Sequence, residues 1–231
     1  MNYHILLDVD GVLIRDVQIL NKVKNNVVKY VAKNAKIDKY VAIKLNNRLY
    51  KNHGHTEIGL MKENYKNYDI KEFCKNVYND DVLNDLYNIK ITEEINNIVN
   101  TLEFLKLQGI SVSLFSNAPE IWCDVLIKSY HIKDLITDIY ACDNINYCGK
   151  LKPEKTIYDF IEKKLINAET HRLMFIDDTI INLQPVLKKY HWMPILFDPN
   201  SNNKKDITHD DIPIMKDISK LKNLFTDYKM I

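Results

Sequence analysis

Two carboxylates spaced two apart, Asp8 and Asp10 in ILLDVDGVLI (5–14), end an apolar run and precede a glycine. Residues i and i+2 of an extended chain project to the same side, about 6–7 Å apart, so both acids can face one site. Other polar groups stand where apolar runs stop: Ser116–Asn117, Asp177–Asp178, and Lys152 followed by Pro153. Converging carboxylates repel unless protons or a cation intervene. Mg²⁺, which accepts a few carboxylates and keeps several waters, meets that need. Lys152 adds positive charge, and Ser116 and Asn117 offer neutral donors. Such a set suits a phosphate. The metal and the lysine neutralise the dianion, and one carboxylate is left to attack phosphorus.

The elements that must bring these residues together are readable from periodicity. Apolar runs of strand length recur at 3–9, 110–116, 136–142, 172–177 and 193–197, separated after the second by helix-like segments. That alternation predicts a Rossmann-like α/β fold, a mostly parallel sheet flanked by helices on both faces. In such a sheet ligands bind outside the carboxyl ends of the strands, where strand order reverses, and the singled-out polar residues fall at those ends. A helix is expected from the Ile95, Ile98, Val99, Leu102, Leu105 stripe, with Thr92 as cap and Gly109 as stop. Another is expected to begin at Pro153, with Ile157, Phe160, Ile161 and Leu165 on one face.

About a hundred residues separate the first two strands, far more than the dozen a crossover requires. The extra chain reads as helical: Val23, Val27 and Val31; Val41, Leu45 and Leu49 after Asp38; Phe73 and Val77 after the Asp69/Glu72 pair. The expected division is a core of residues 1–15 and 91–231 with an inserted all-α domain at 16–90. The polar stretch DPNSNNKKDITHDD (198–211) reads as a surface loop, with a short final helix near 215–226.

Composition narrows the class. With 46% hydrophobic residues, 27% charged residues and a formal charge of +1, the chain lacks the broad field that would attract a nucleic-acid polymer or an anionic membrane. The N-terminus lacks the basic start and apolar core of a signal peptide, so a cytoplasmic location is expected. The four cysteines, Cys74, Cys123, Cys142 and Cys148, form no C-x-x-C pair and read as reduced, mostly buried thiols. His53 and His55 have H-x-H spacing but no third ligand, and read as surface or interior histidines of the insertion. Trp122, Trp192 and the tyrosine-rich insertion read as packing residues.

DVDGVLI, SNA, KPEKTIYDF and FIDDTIINLQPV, in that order, resemble the four motifs of the haloacid dehalogenase-like (HAD) superfamily. The likeness covers residues 1–15 and about 91–200, and the helical segment occupies the place of that family's C1 cap. It implies that Asp8 is a nucleophile forming an aspartyl-phosphate and that Asp10 protonates the leaving oxygen and then activates water. It implies a Mg²⁺ site made of Asp8, the Asp10 backbone carbonyl and Asp178, phosphate contacts from Ser116 and Asn117, and charge stabilisation by Lys152. Asp177 and Asn182 would support the others from behind.

Dehalogenases of the family have no aspartate at the position of Asp10, so a phosphatase or phosphotransferase is favoured. Within LYKNHGHTEIGLMKENY (49–65), Tyr50, Gly54, Thr56, Gly59 and Leu60 resemble the cap of pyrimidine 5'-nucleotidase-like members. The expected substrate is a small phosphorylated metabolite, first a nucleoside 5'-monophosphate and second a sugar phosphate. A phosphotransferase or mutase, or a regulatory binding protein with little turnover, stands as the alternative.

Overall fold

The computed structural model describes residues 3–144, 150–167, 170, 172–201 and 212–226 of the 231-residue chain. Six strands form one sheet: β1 (Tyr3–Leu7), β2 (Ser111–Phe115), β3 (Asp138–Tyr140), β4 (Arg172–Asp177), β5 (Trp192–Phe197) and β6 (Ile214–Met215). Their order is β3-β2-β1-β4-β5-β6 and every pairing is parallel, so the order reverses between β1 and β4. The strands are apolar on both faces because both faces are covered. Alternate residues serve opposite layers: Leu6, Phe115, Phe175 and Leu196 pack into one cluster, Ile5, Leu7, Leu114 and Ile176 into the other.

Among the described residues, ten α-helices surround the sheet. α1 (Val17–Ala35), α2 (Lys39–His53), α3 (Thr56–Lys62), α4 (Ile70–Val77) and α5 (Asp80–Tyr87) fill the interval after β1. α6 (Glu93–Leu107) crosses to β2, and α7 (Glu120–Ser129), α8 (Lys155–Leu165), α9 (Ile180–Leu183) and α10 (Lys220–Thr226) follow. α6, α7 and α10 cover one face; α8 and α9 cover the other. The caps explain the helix starts: Asp16, Asp38, Asp69, Asn79 and Thr92 each accept backbone N–H groups of the turn they open. Gly109 ends the sixth helix region at φ +73°, as its sequence position predicts.

Helices α1 to α5 pack on one another through Val23, Val31, Leu45, Leu49, Phe73 and Val77, and this apolar cluster runs without a break into the layer under α6 and α7. Each such side chain contributes about 1.5–3 kcal/mol when removed from water. Four local expectations are corrected. Val41 is 44% exposed, and Ala42 takes its place on the buried face of α2. Pro153 is not the first residue of α8, which starts at Lys155 after Glu154; Pro153 instead packs close to Gly54. Phe160 stands at the surface of α8, whose buried residues are Ile157, Tyr158 and Ile161. The final helix begins at Lys220, because Ile214 and Met215 pair with Leu196 and Phe197 and cover the open edge of β5. The latter part of the polar stretch expected as a loop (202–211) and Cys148 lie outside the described residues.

Candidate active site

Strand register assembles the site. Leu7 stands beside Leu114 on one side and Ile176 on the other, so the chains that follow leave the sheet at one level. The ladder extends one residue further: the Asp8 N–H donates to the Ile176 carbonyl and the Ser116 N–H to the Tyr140 carbonyl, each at 2.9 Å. Asp8, Ser116 and the Asp177–Asp178 pair therefore emerge together at the switch point. They border a cavity of about 720 Å³, lined also by Asp10, Asn117, Lys152, Asn182 and residues of α1 to α4. Asp177 itself lies behind that lining, fully buried.

Lys152 is 1% exposed and spends all three ammonium protons on protein acceptors: Asp8 Oδ1 at 2.8 Å, Asp177 Oδ2 at 2.7 Å and the Phe115 carbonyl at 2.8 Å. Burial alone would lower its pKa, but Asp177 and Asp8 together hold it above the ordinary lysine value. Its backbone is clamped by Asn117, whose Nδ2 donates to the Lys152 carbonyl and whose Oδ1 accepts the Lys152 N–H, both at 2.8 Å. The Asn117 side chain is thus occupied in positioning the lysine. Ser116 Oγ accepts the Ala118 N–H at 3.0 Å, and the residue borders the cavity.

Asp177 is saturated. Its oxygens accept the Thr179 N–H at 2.8 Å, Lys152 Nζ at 2.7 Å, and Asn182 Nδ2 at 3.0 and 3.1 Å. Asn182 is buried and bonds both oxygens of Asp177. Asp178 is the freer of the pair, bonded to Thr179 Oγ1 at 3.0 Å and bordering the cavity. Burial and the neighbouring Asp177 raise its pKa to about 7. Burial, Asp177 and Asp178 push Asp8 well above the carboxylate range, with Lys152 opposing them. Oxygens of Asp8, Asp177 and Asp178 lie within 4.8 Å of one another. A cluster of acids held this close and this dry fits a hard divalent cation, which would remove the repulsion that now favours protonation. Asp8 and Asp178 have oxygens to offer it, and Asp177, already saturated, does not.

The Asp10 carboxylate is directed elsewhere. Its Oδ1 accepts Trp122 Nε1–H at 2.8 Å and its Oδ2 accepts the Tyr78 hydroxyl at 3.2 Å, the two rings lying 5.2 Å apart. Burial raises the Asp10 pKa, and the bonds from Trp122 and Tyr78 oppose the rise. Each Asp10 oxygen thus holds one partner and keeps a lone pair, and the residue borders the cavity. Trp122 packs in the core, as read from sequence, and its indole N–H also reaches Asp10, while Tyr78 joins it there from the C-terminal end of α4. No motif or spacing ties positions 78 and 122 to position 10, so sequence carried no signal for either. Trp192 does pack, against Tyr158 and Phe175, with its Nε1–H on Glu162 at 3.1 Å.

His53 pairs with Glu63 at 3.2 Å, and His55 is buried inside the insertion against Phe73, so the H-x-H pair faces two environments. Cys74, Cys123 and Cys142 are free and buried. Among the described residues no helix is long and apolar enough to cross a membrane.

An open parallel sheet with acids, a buried lysine and a cavity at its switch point defines a doubly wound α/β protein with its polar site outside the strand ends. The chain belongs to the haloacid dehalogenase-like hydrolases, whose family model matches residues 4–185. Solved structures agree in fold. The HAD phosphatase from Thermococcus onnurineus superposes with a TM-score of 0.61 at 14% identity, covering 97% of each chain. YfnB from Bacillus subtilis, bound to magnesium, gives 0.57 at 14% identity over 97% of this chain and 99% of that one. The L-2-haloacid dehalogenase from Xanthobacter autotrophicus, with chloropropionic acid covalently bound, gives 0.54 at 12% identity over 97% and 98%. No curated protein matches the sequence significantly.

Proposed function

We propose that this hydrolase is a Mg²⁺-dependent phosphatase of a small phosphomonoester, acting through an aspartyl-phosphate on Asp8. The observation that carries the reading is Asp10: a second carboxylate bordering the same cavity as Asp8, with both oxygens held by Tyr78 and Trp122. A halide leaves without a proton, whereas an alkoxide leaving group needs one, and a fixed carboxylic acid supplies it. This separates the reading from the dehalogenase alternative that the fold alone leaves open.

In this reading Asp8 attacks phosphorus, and the ester oxygen leaves with the proton of Asp10. Asp10, now a carboxylate, takes a proton from water as that water attacks the aspartyl-phosphate, returning Asp8 and releasing phosphate. Asp8, the Asp10 carbonyl and Asp178 would hold Mg²⁺, which supplies charge neutralisation for the phosphoryl group. Ser116 Oγ and the Asn117 N–H donate to phosphate oxygens. Lys152, with no free N–H, acts through its charge and by fixing Asp8. Residues 16–90 act as a cap domain that covers the site and contacts the organic group. A nucleoside 5'-monophosphate is the preferred substrate, and the protein works in the cytoplasm.

Turnover of p-nitrophenyl phosphate tests this. Asp8→Asn should reduce it by at least about 10³-fold, since a carboxamide cannot serve as the nucleophile, and EDTA should suppress it reversibly. Unchanged turnover in either case refutes the mechanism.

A further inference from the structure

The cavity continues well beyond the acids. Its exposed lining residues, Lys24, Ile43, Asn47, Tyr50 and Lys51, mark a mouth, while Val23, Val28, His55, Thr56 and Phe73 are buried and mark its interior. The interior is therefore apolar with one ring of a different kind. His55 is 6% exposed and caps α3: its Nδ1 accepts the Glu57 N–H at 3.2 Å. An accepting Nδ1 leaves the proton on Nε2, and among the described residues nothing accepts from Nε2. Burial lowers the His55 pKa to about 4, so the ring is neutral at physiological pH. Beside it, Thr56 Oγ1 donates to Asn46 Oδ1 at 2.7 Å, which leaves the Asn46 amide N–H₂ as a second donor on the cavity wall.

Resting on the phosphatase reading, we infer that this interior receives an apolar organic group bearing a hydrogen-bond acceptor, such as a ring carbonyl, and that His55 Nε2–H reads the acceptor. The volume admits a group far larger than phosphate. A polyol fits poorly, because hydroxyls set against Val23, Val28 and Phe73 would be stripped of water without partners. A purely apolar ester would bury the His55 N–H unpaired, and a site built around a donor rejects ligands lacking the acceptor. The neutral ring also avoids repelling the cation site while it donates.

Uridine 5'-monophosphate and ribose 5-phosphate share phosphate and sugar and differ by the base, and 1-naphthyl phosphate supplies an apolar ring without a carbonyl. Wild-type protein with Mg²⁺ should show kcat/KM at least about tenfold higher for uridine 5'-monophosphate than for ribose 5-phosphate. His55→Phe retains the ring against Phe73 without the donor, and His55→Ser retains a helix cap without the ring. Both should lower kcat/KM for uridine 5'-monophosphate about tenfold, whereas that for 1-naphthyl phosphate should not fall, since the donor its apolar ring would leave unpaired is gone. Equal losses on both esters, or a preference for ribose 5-phosphate, overturn the inference. Calorimetric binding of uridine, a product without phosphate, reads the cavity without turnover. Binding by wild type that His55→Phe abolishes supports the inference even if the phosphatase reading fails, and equal binding by both overturns it even if that reading holds.

Discussion

Gly11 sits between the two acids of the first strand and the acid of the fourth, at φ +92°, where a Cβ would lie 2.1 Å from Asp178 Oδ2. The backbone must pass there for Asp178 to approach Asp8, so the glycine serves the carboxylate cluster as well as the turn. Gly11→Ala should displace Asp178 and add backbone strain of about 1–3 kcal/mol. Denaturant unfolding should report that loss, and calorimetry should report Mg²⁺ affinity reduced at least about tenfold. Wild-type Mg²⁺ affinity in the variant would contradict this account. The adjacent acids Asp177 and Asp178 illustrate the same scale. Sequence shows two identical groups, and hydrogen bonding gives them different tasks: one is held by Lys152, Asn182 and the Thr179 amide, the other borders the cavity.

At the scale of elements, α4 and α7 meet at Asp10. Tyr78 closes α4 and Trp122 lies in the first turn of α7, and neither helix carries any other group bonded to the first-strand acids. Trp122 can only donate, whereas the Tyr78 hydroxyl both donates and accepts, so Oδ2 of Asp10 is the oxygen able to give up or take a proton without losing its partner. If the insertion helps to place the acid, Tyr78→Phe should matter most for esters with poor leaving groups. We expect kcat/KM for n-butyl phosphate to fall about tenfold and that for p-nitrophenyl phosphate to change less than about threefold. A uniform fall across both esters would instead mark Tyr78 as structural. Tyr50 of α2, hydrogen-bonded to Thr179, gives the insertion a second contact with the loops of the site.

For the whole molecule, a dense acid cluster couples stability to pH and to cation. The Asp178 pKa is raised from 3.8 to about 7 in the fold, by burial and by Asp177. The folded state therefore holds a proton that the unfolded chain releases, and this group's contribution declines as pH rises from about 4 to about 7. A divalent cation binds the carboxylate form and offsets the decline, so the Tm increment from millimolar Mg²⁺ should be larger at pH 8 than at pH 5. In Asp178→Asn the increment should be small and nearly flat with pH. An increment of equal size in the variant and the parent would exclude Asp178 from the cation site.

The order of strands and crossover helices was legible in the sequence because apolar period and strand-end polarity are local properties, as the run into Asp8 and the Ile95–Leu105 stripe show. The helices between the first two strands were legible as surplus chain with a helical period. The sixth strand was not, because Ile214–Met215 is too short to carry a period and exists through its pairing with β5. Asp8, Asp10, Ser116, Lys152 and Asp178 could be named from type and spacing. What they touch could not. The attachment of Asp10 to Trp122 and Tyr78, of Asn117 to the Lys152 backbone, and of His55 to the cavity wall joins residues up to 112 positions apart. The sequence by itself determined which groups stand at the strand ends, since strand periodicity and turn chemistry are written locally. Tertiary packing alone decided their partners, burial and protonation, because those depend on which distant side chains close around them.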